Sequence, residues 1–156
     1  MQMRNVATES VEQLNHLLDD QDGIVTTLAN ASAFLNELLP DINWVGFYLL
    51  DHGVLCLGPF QGKSACTRIP VGSGVCGTAV AQNKTQLVAD VHAFPGHIAC
   101  DSASNSELVT VLRDESGAPI GVLDIDSPLL ARFTEADAVN MERAAEIISQ
   151  KIRQSI

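Results

Sequence analysis

Positive charge is scarce in this chain. Nine Lys and Arg residues stand against nineteen Asp and Glu, a formal net charge of −10 over 156 residues. That balance repels phosphate backbones and anionic lipid surfaces, so no nucleic acid and no membrane is expected as a partner. Long hydrophobic runs are lacking too. No apolar stretch approaches the roughly 20 residues needed to span a bilayer, and the N-terminus MQMRNVATES has no apolar segment after Arg4. A cytoplasmic location is the expectation. Internal repeats, low-complexity tracts and long charge blocks are also missing. With 46% hydrophobic and 18% charged residues, the composition is that of a globular chain. Its length suits a single domain over residues 1–156.

Four cysteines are present. In a reducing compartment they argue against a permanent disulfide framework and for metal, catalytic or redox use. Cys66 in KSACTRIP, Cys76 in GVCGTAV and Cys100 in GHIACDSASNSE sit in polar or Gly-rich surroundings. A reactive cysteine must be reachable and able to ionise, and a second thiol within reach captures the oxidised first one as a disulfide. Cys56, in the apolar run VLCLGPF, reads as buried filler. On the residues alone, Cys66 in a strand and Cys76 beside Val75 and Ala79 in a helix also fit core positions. His92, His97, Cys100 and Asp101 form a loose metal-like constellation, but no Cys-x-x-Cys or His-x-x-x-His pair is present and the spacing matches no common zinc site. No metal is expected. The glycines of GSGVCG lack the lysine and spacing of a P-loop.

Apolar periodicity predicts a helix from Thr8 to Leu18 and a second carrying Ile24, Leu28, Leu35, Leu38 and Leu39, ended by Pro40. Runs at Asn43–Leu50, Val54–Phe60 and Ala65–Val71, split by turn residues, predict an antiparallel meander. A short helix over Gly72–Lys84, a strand over Gln86–Val91 and an irregular stretch Asp90–Ser106 follow. A hairpin then joins Glu107–Arg113 to Pro119–Asp126. Thr134 and Asp137 open a last helix, whose apolar face carries Ala138, Met141, Ala145, Ile148 and Ile152. The expected fold is α+β: a helical part over 1–40, a mainly antiparallel sheet with a functional loop over 41–128, and a C-terminal helix over 134–156, with helices covering one face. Trp44 and Tyr48 share a strand face, as do Asp124 and Asp126. Core packing and a solvated strand face are the plain readings of those two pairs.

The segments NWVGFYLL, LGPFQGKSACTRIPVGSGVCGTAV, VADVHAFPGHIACDSASNSELV and IGVLDIDS resemble the signature segments of the free methionine-(R)-sulfoxide reductases, which are single GAF domains. The resemblance runs from about residue 41 to 133. An ordinary sensory GAF domain lacks the ACxRIPVGxGVCG and GHIACDxxSxSE segments together. The resemblance implies reduction of free methionine-R-sulfoxide, with thioredoxin returning the reducing equivalents and no bound cofactor. By the same resemblance Cys100 corresponds to the nucleophile, Cys66 to the resolving thiol and Cys76 to a further thiol of less uniform role. Glu107, Asp124 and Asp126 correspond to the acidic residues of the ligand pocket, and Trp44 and Tyr48 to its aromatic walls. A homodimer is expected on the same basis.

The chemistry implied needs a thiolate to attack sulfur while the sulfoxide oxygen is protonated. Three carboxylates near one pocket should raise at least one pKa by mutual repulsion and partial burial, and Glu107 is the first candidate for the acid. Asp124 and Asp126 are the candidates for binding the ammonium of a free amino acid, and Trp44 and Tyr48 for packing its thioether methyl. A non-enzymatic GAF sensor, binding a small metabolite or reporting oxidants through its thiols, is the alternative.

Overall fold

Alternation along the strands sorts the chain into two layers on either side of one sheet. The computed structural model describes residues 8–97 and 103–153. Strands β1 (Trp44–Asp51), β2 (Val54–Gly62) and β3 (Arg68–Pro70) form the expected meander. Strands β5 (Ser106–Arg113) and β6 (Pro119–Ser127) form the final hairpin, and β4 (Gln86–Val88) pairs with β5. The six strands lie in the order β3-β2-β1-β6-β5-β4, every pairing antiparallel.

Odd and even positions of the central strands feed different cores. Val45, Phe47, Leu108, Leu112, Leu123 and Ile125 pack with the apolar faces of the helices α1 (Thr8–Glu12), α2 (Leu14–Leu17), α3 (Ile24–Leu38) and α5 (Glu135–Ile152). Trp44, Tyr48, Val109, Val111 and Val122 point the other way, into a second apolar cluster that includes Val75, Cys76 and Ala79 of helix α4 (Gly74–Gln82). The α+β expectation holds, with one correction: helices do not cover a single face. The chain leaves the sheet at the β3 edge and re-enters at the β4 edge, and α4 lies on the crossing, over the face opposite to the other helices.

Three further differences from the sequence reading have local causes. The first helical run is divided at Gln13, where an i→i−3 bond from Gln13 N–H to the Ser10 carbonyl tightens the turn. The third strand is shorter than the run Ala65–Val71, and Cys66 lies in the connector before it. Only Arg68, Ile69 and Pro70 pair with β2, and a proline, which has no N–H to give, is at home on such an edge. Cys56 is half-buried on β2 rather than sealed in the core.

The capping box is present. Thr134 N–H donates to the Asp137 carboxylate at 2.8 Å while Asp137 N–H donates to Thr134 Oγ1 at 3.2 Å. Ala138, Met141, Ala145, Ile148 and Ile152 are all buried. No helix among the described residues is long and apolar enough to cross a membrane. Because the box satisfies two otherwise orphaned donors of α5, Thr134→Ala should lower stability by about 1 kcal/mol, read as a lower urea midpoint with unchanged slope.

Candidate functional site

Strand register builds the site. Trp44 on β1 lies opposite Asp126 on β6, and Asp126 lies opposite Glu107 on β5, so an indole and two carboxylates form one row across three strands. In the next row Gly46 faces Asp124, and Asp124 faces Val109. All these residues point toward α4. The resulting pocket is lined by Trp44, Tyr48, Ala65, Ile69, Gly74, Val75, Cys76, His97, Ser104, Glu107, Asp124 and Asp126.

One wall is aromatic. The rings of Trp44 and Tyr48 stack with centroids 6.0 Å apart and planes 25° apart, and Phe60 of β2 continues the stack at 5.1 Å from Trp44. Phe60 escaped the sequence reading because its place beside Trp44 depends on the β1–β2 register, in which it faces Gly46. The polar ends of both wall rings are satisfied outside the pocket: Trp44 Nε1–H donates to the Lys63 carbonyl and the Tyr48 hydroxyl to the Cys66 carbonyl.

Beside it the same sheet face is acidic. Glu107 is 8% and Asp124 5% exposed. Burial, then the charges of Asp124 and Asp126, push the Glu107 carboxyl well up, and side-chain hydrogen bonds with both aspartates accompany the shift. Asp124 is also raised, by burial, with hydrogen bonds to Glu107 and Cys76 acting the other way. Both shifts favour the protonated form of the carboxyl. Asp124 lines the pocket, and its Oδ1 is buried with no hydrogen-bond partner.

Cys76 is 3% exposed, with its thiol 4.0 Å from Glu107 Oε2. Burial and the charges of Asp124, Glu107 and Asp126 hold it well up as a neutral thiol, the reverse of what a nucleophile needs. Its position follows from Gly77, where a Cβ would lie 2.5 Å from the Pro70 carbonyl; the missing side chain lets α4 press onto the Pro70–Gly72 turn. The glycine-rich turn uses its own N–H groups. Within it Gly72 N–H donates to the Gly77 carbonyl, Ser73 N–H to that of Pro70 and Gly77 N–H to that of Ser73.

Cys76 Sγ and carboxylate oxygens of Glu107 and Asp124 lie within 4.8 Å of one another. Burial drives each of these groups toward its protonated form, which competes with metal ligation. Of the other residues singled out in the sequence, Cys66 is half-buried and disulfide-bonded, whereas Cys56 and Cys76 are free thiols. Cys100 and Asp101 lie outside the described residues. His97, met in the sequence only within the loose metal-like constellation, lines the pocket, 6.1 Å from the His92 ring; burial and then the charge of His92 lower its pKa. Ser104 is a buried lining residue that the sequence reading missed. It accepts a hydrogen bond from Asn43 Nδ2 at 3.1 Å, a pairing across 61 residues with no local signature.

The buried carboxyl has a consequence for stability. Because the folded-state pKa of Glu107 is raised above its ordinary 4.5, the folded protein keeps a proton that the unfolded chain has lost throughout the window between the two values. Stability therefore falls as pH rises through that window. Glu107→Gln removes this titration. The difference in urea-unfolding free energy between wild type and variant should move in the variant's favour from about pH 5 to about pH 8. A constant difference would mean that Glu107 is ionised in the fold.

Comparison with known proteins agrees with this geometry. The GAF domain family matches residues 2–152. The chain is 60% identical over 123 residues to the free methionine-R-sulfoxide reductase of Escherichia coli K12, covering 79% of this chain and 74% of that protein. The X-ray structure of free methionine-R-sulfoxide reductase from Neisseria meningitidis in complex with its substrate superposes with a TM-score of 0.89 at 46% identity, covering 94% of this chain and 88% of that one. The reduced form of the Staphylococcus aureus enzyme gives the same TM-score and identity, over 97% and 99%. The chain thus belongs to the GAF domain family and, within it, to the free methionine-R-sulfoxide reductases.

Proposed function

We propose that this chain reduces free methionine-R-sulfoxide to methionine through cysteine chemistry recycled by thioredoxin. The observation that carries the reading is a single pocket in which an aromatic wall adjoins three carboxyls, one of them buried Glu107, in a chain with this family membership. Trp44 and Tyr48 receive the thioether methyl, where sulfur–aromatic contact contributes about 0.3–1.5 kcal/mol. Asp124, through its unpartnered Oδ1, and Asp126 receive the ammonium. A methionine inside a polypeptide has an uncharged amide in that place and forfeits the interaction.

The Cys100 thiolate attacks the sulfoxide sulfur while Glu107 protonates its oxygen. The oxygen ends on the cysteine sulfur, methionine leaves, and Cys100 becomes a sulfenic acid. Cys66 condenses with that acid, releasing water and forming a disulfide, which the thioredoxin dithiol reduces. The 34 residues between the two cysteines are no obstacle, because loop-closure entropy grows slowly with length. Cys76, held as a buried thiol, supports the acid wall. A cytoplasmic homodimer completes the proposal.

The test is NADPH consumption in a thioredoxin and thioredoxin reductase mixture. Free methionine-R-sulfoxide should support turnover, and the free S epimer and a peptide-bound sulfoxide should not. Cys100→Ser should abolish methionine formation, whereas Cys66→Ser should form about one equivalent and then stop. Asp126→Asn should raise KM more than it lowers kcat. Full turnover by Cys100→Ser would overturn the mechanism. No consumption with any sulfoxide would move the chain to the GAF sensors.

A further inference from the structure

The segment bearing Cys66 is held by the same two side chains that wall the pocket. Cys66 lies in the connector between β2 and β3, where no ladder fixes its backbone. Trp44 Nε1–H donates to the Lys63 carbonyl at 3.0 Å, and the Tyr48 hydroxyl donates to the carbonyl of Cys66 itself at 2.9 Å. Gly62, the last residue of β2, has φ at +139°, and a Cβ there would stand 2.5 Å from Trp44 Cδ1, so the indole rests directly on the backbone where the connector begins. On its far side Leu57 N–H donates to the Thr67 carbonyl at 3.0 Å. Trp44 and Tyr48 are each 2% exposed, and a buried indole N–H or phenol takes a partner or is destabilising. Both take theirs from the same five-residue connector.

We propose that Trp44 and Tyr48 are positioning residues for the resolving thiol, their two hydrogen bonds holding the Lys63–Cys66 backbone so that the Cys66 sulfur meets the sulfenic acid left by substrate reduction. The inference rests on the reaction proposed above. In the step concerned a sulfur–sulfur bond forms between Cys66 and Cys100 and the sulfur–oxygen bond of the sulfenic acid breaks. The Cys66 proton leaves with the hydroxyl as water, and the oxidation introduced by the substrate is then shared by the two sulfurs. Disulfide formation admits a narrow range of Cα separations and torsions, so a connector free to wander lowers the effective concentration of its thiol. The aromatic wall thereby acts twice, once on the substrate methyl and once, from its polar rim, on the next step of the cycle.

The full chain, fully reduced, is mixed with free methionine-R-sulfoxide in the presence of a dimedone-type sulfenic acid probe. Intact mass reports disulfide and probe adduct, and the methionine formed is measured alongside. Wild type should close its disulfide with little adduct, and Cys66→Ser should give the adduct as its main product. Tyr48→Phe keeps the ring and removes only the hydroxyl; its adduct per methionine formed should rise about tenfold over wild type, the size expected for one lost hydrogen bond. A role confined to the substrate pocket or to the fold would lower methionine and adduct together and leave their ratio unchanged. A wild-type ratio in folded Tyr48→Phe overturns the proposal. Should that variant not fold, Trp44→Phe puts the same question to the other anchor, with a raised ratio expected and a wild-type ratio fatal. Absence of adduct in Cys66→Ser would overturn the reaction scheme itself, an outcome distinct from either.

Discussion

The antiparallel register of β1, β6 and β5 is the constraint on which the remaining structure depends. Side chains alternate with period two, so the register that brings Trp44, Asp126 and Glu107 into one row also sends Val45, Phe47, Leu123, Ile125 and Leu108 into the helical core. A slip of one residue would turn the carboxyls toward the helical core and those apolar side chains toward α4. The helical layer therefore secures the site without touching it.

On the site face, low polarity and crowded acids work together. The second apolar cluster around Val75, Ala79, Val109 and Val122 lowers the local dielectric, and three carboxyls in such surroundings cannot all ionise. Burial and repulsion favour the protonated forms of Glu107 and the Cys76 thiol, which sets Cys76 beside the acids in keeping with its burial. Under the proposed function an incoming ammonium would relax the same repulsion, which would link cation recognition to acid strength through one group of atoms.

The aromatic stack connects that pocket to the thiol segment. Trp44 and Tyr48 contribute ring faces to the cavity and polar rims to the β2–β3 connector. The two rings thus stand between the pocket and the connector, packed closely because Gly62 has no side chain to displace the indole.

Much of this was legible in the chain. Strand alternation already placed Trp44 with Tyr48 and Asp124 with Asp126, since period two is a local property, and Thr134 with Asp137 announced the start of α5. The cysteine-bearing segments pointed to the family. The sequence was silent on long-range choices: that α4 crosses to the other face, that Phe60 completes the stack, and that Ser104 and His97 line the cavity. It could not tell whether Cys76 is a reachable thiol or a buried one, because a Gly-rich surrounding signals exposure in a loop and close packing in a helix. Local patterning by itself determined the elements, their faces and the residues able to do thiol chemistry. Only the tertiary structure decided which residues meet and which are pushed toward their protonated forms, because register, burial and mutual repulsion arise between segments far apart in the chain.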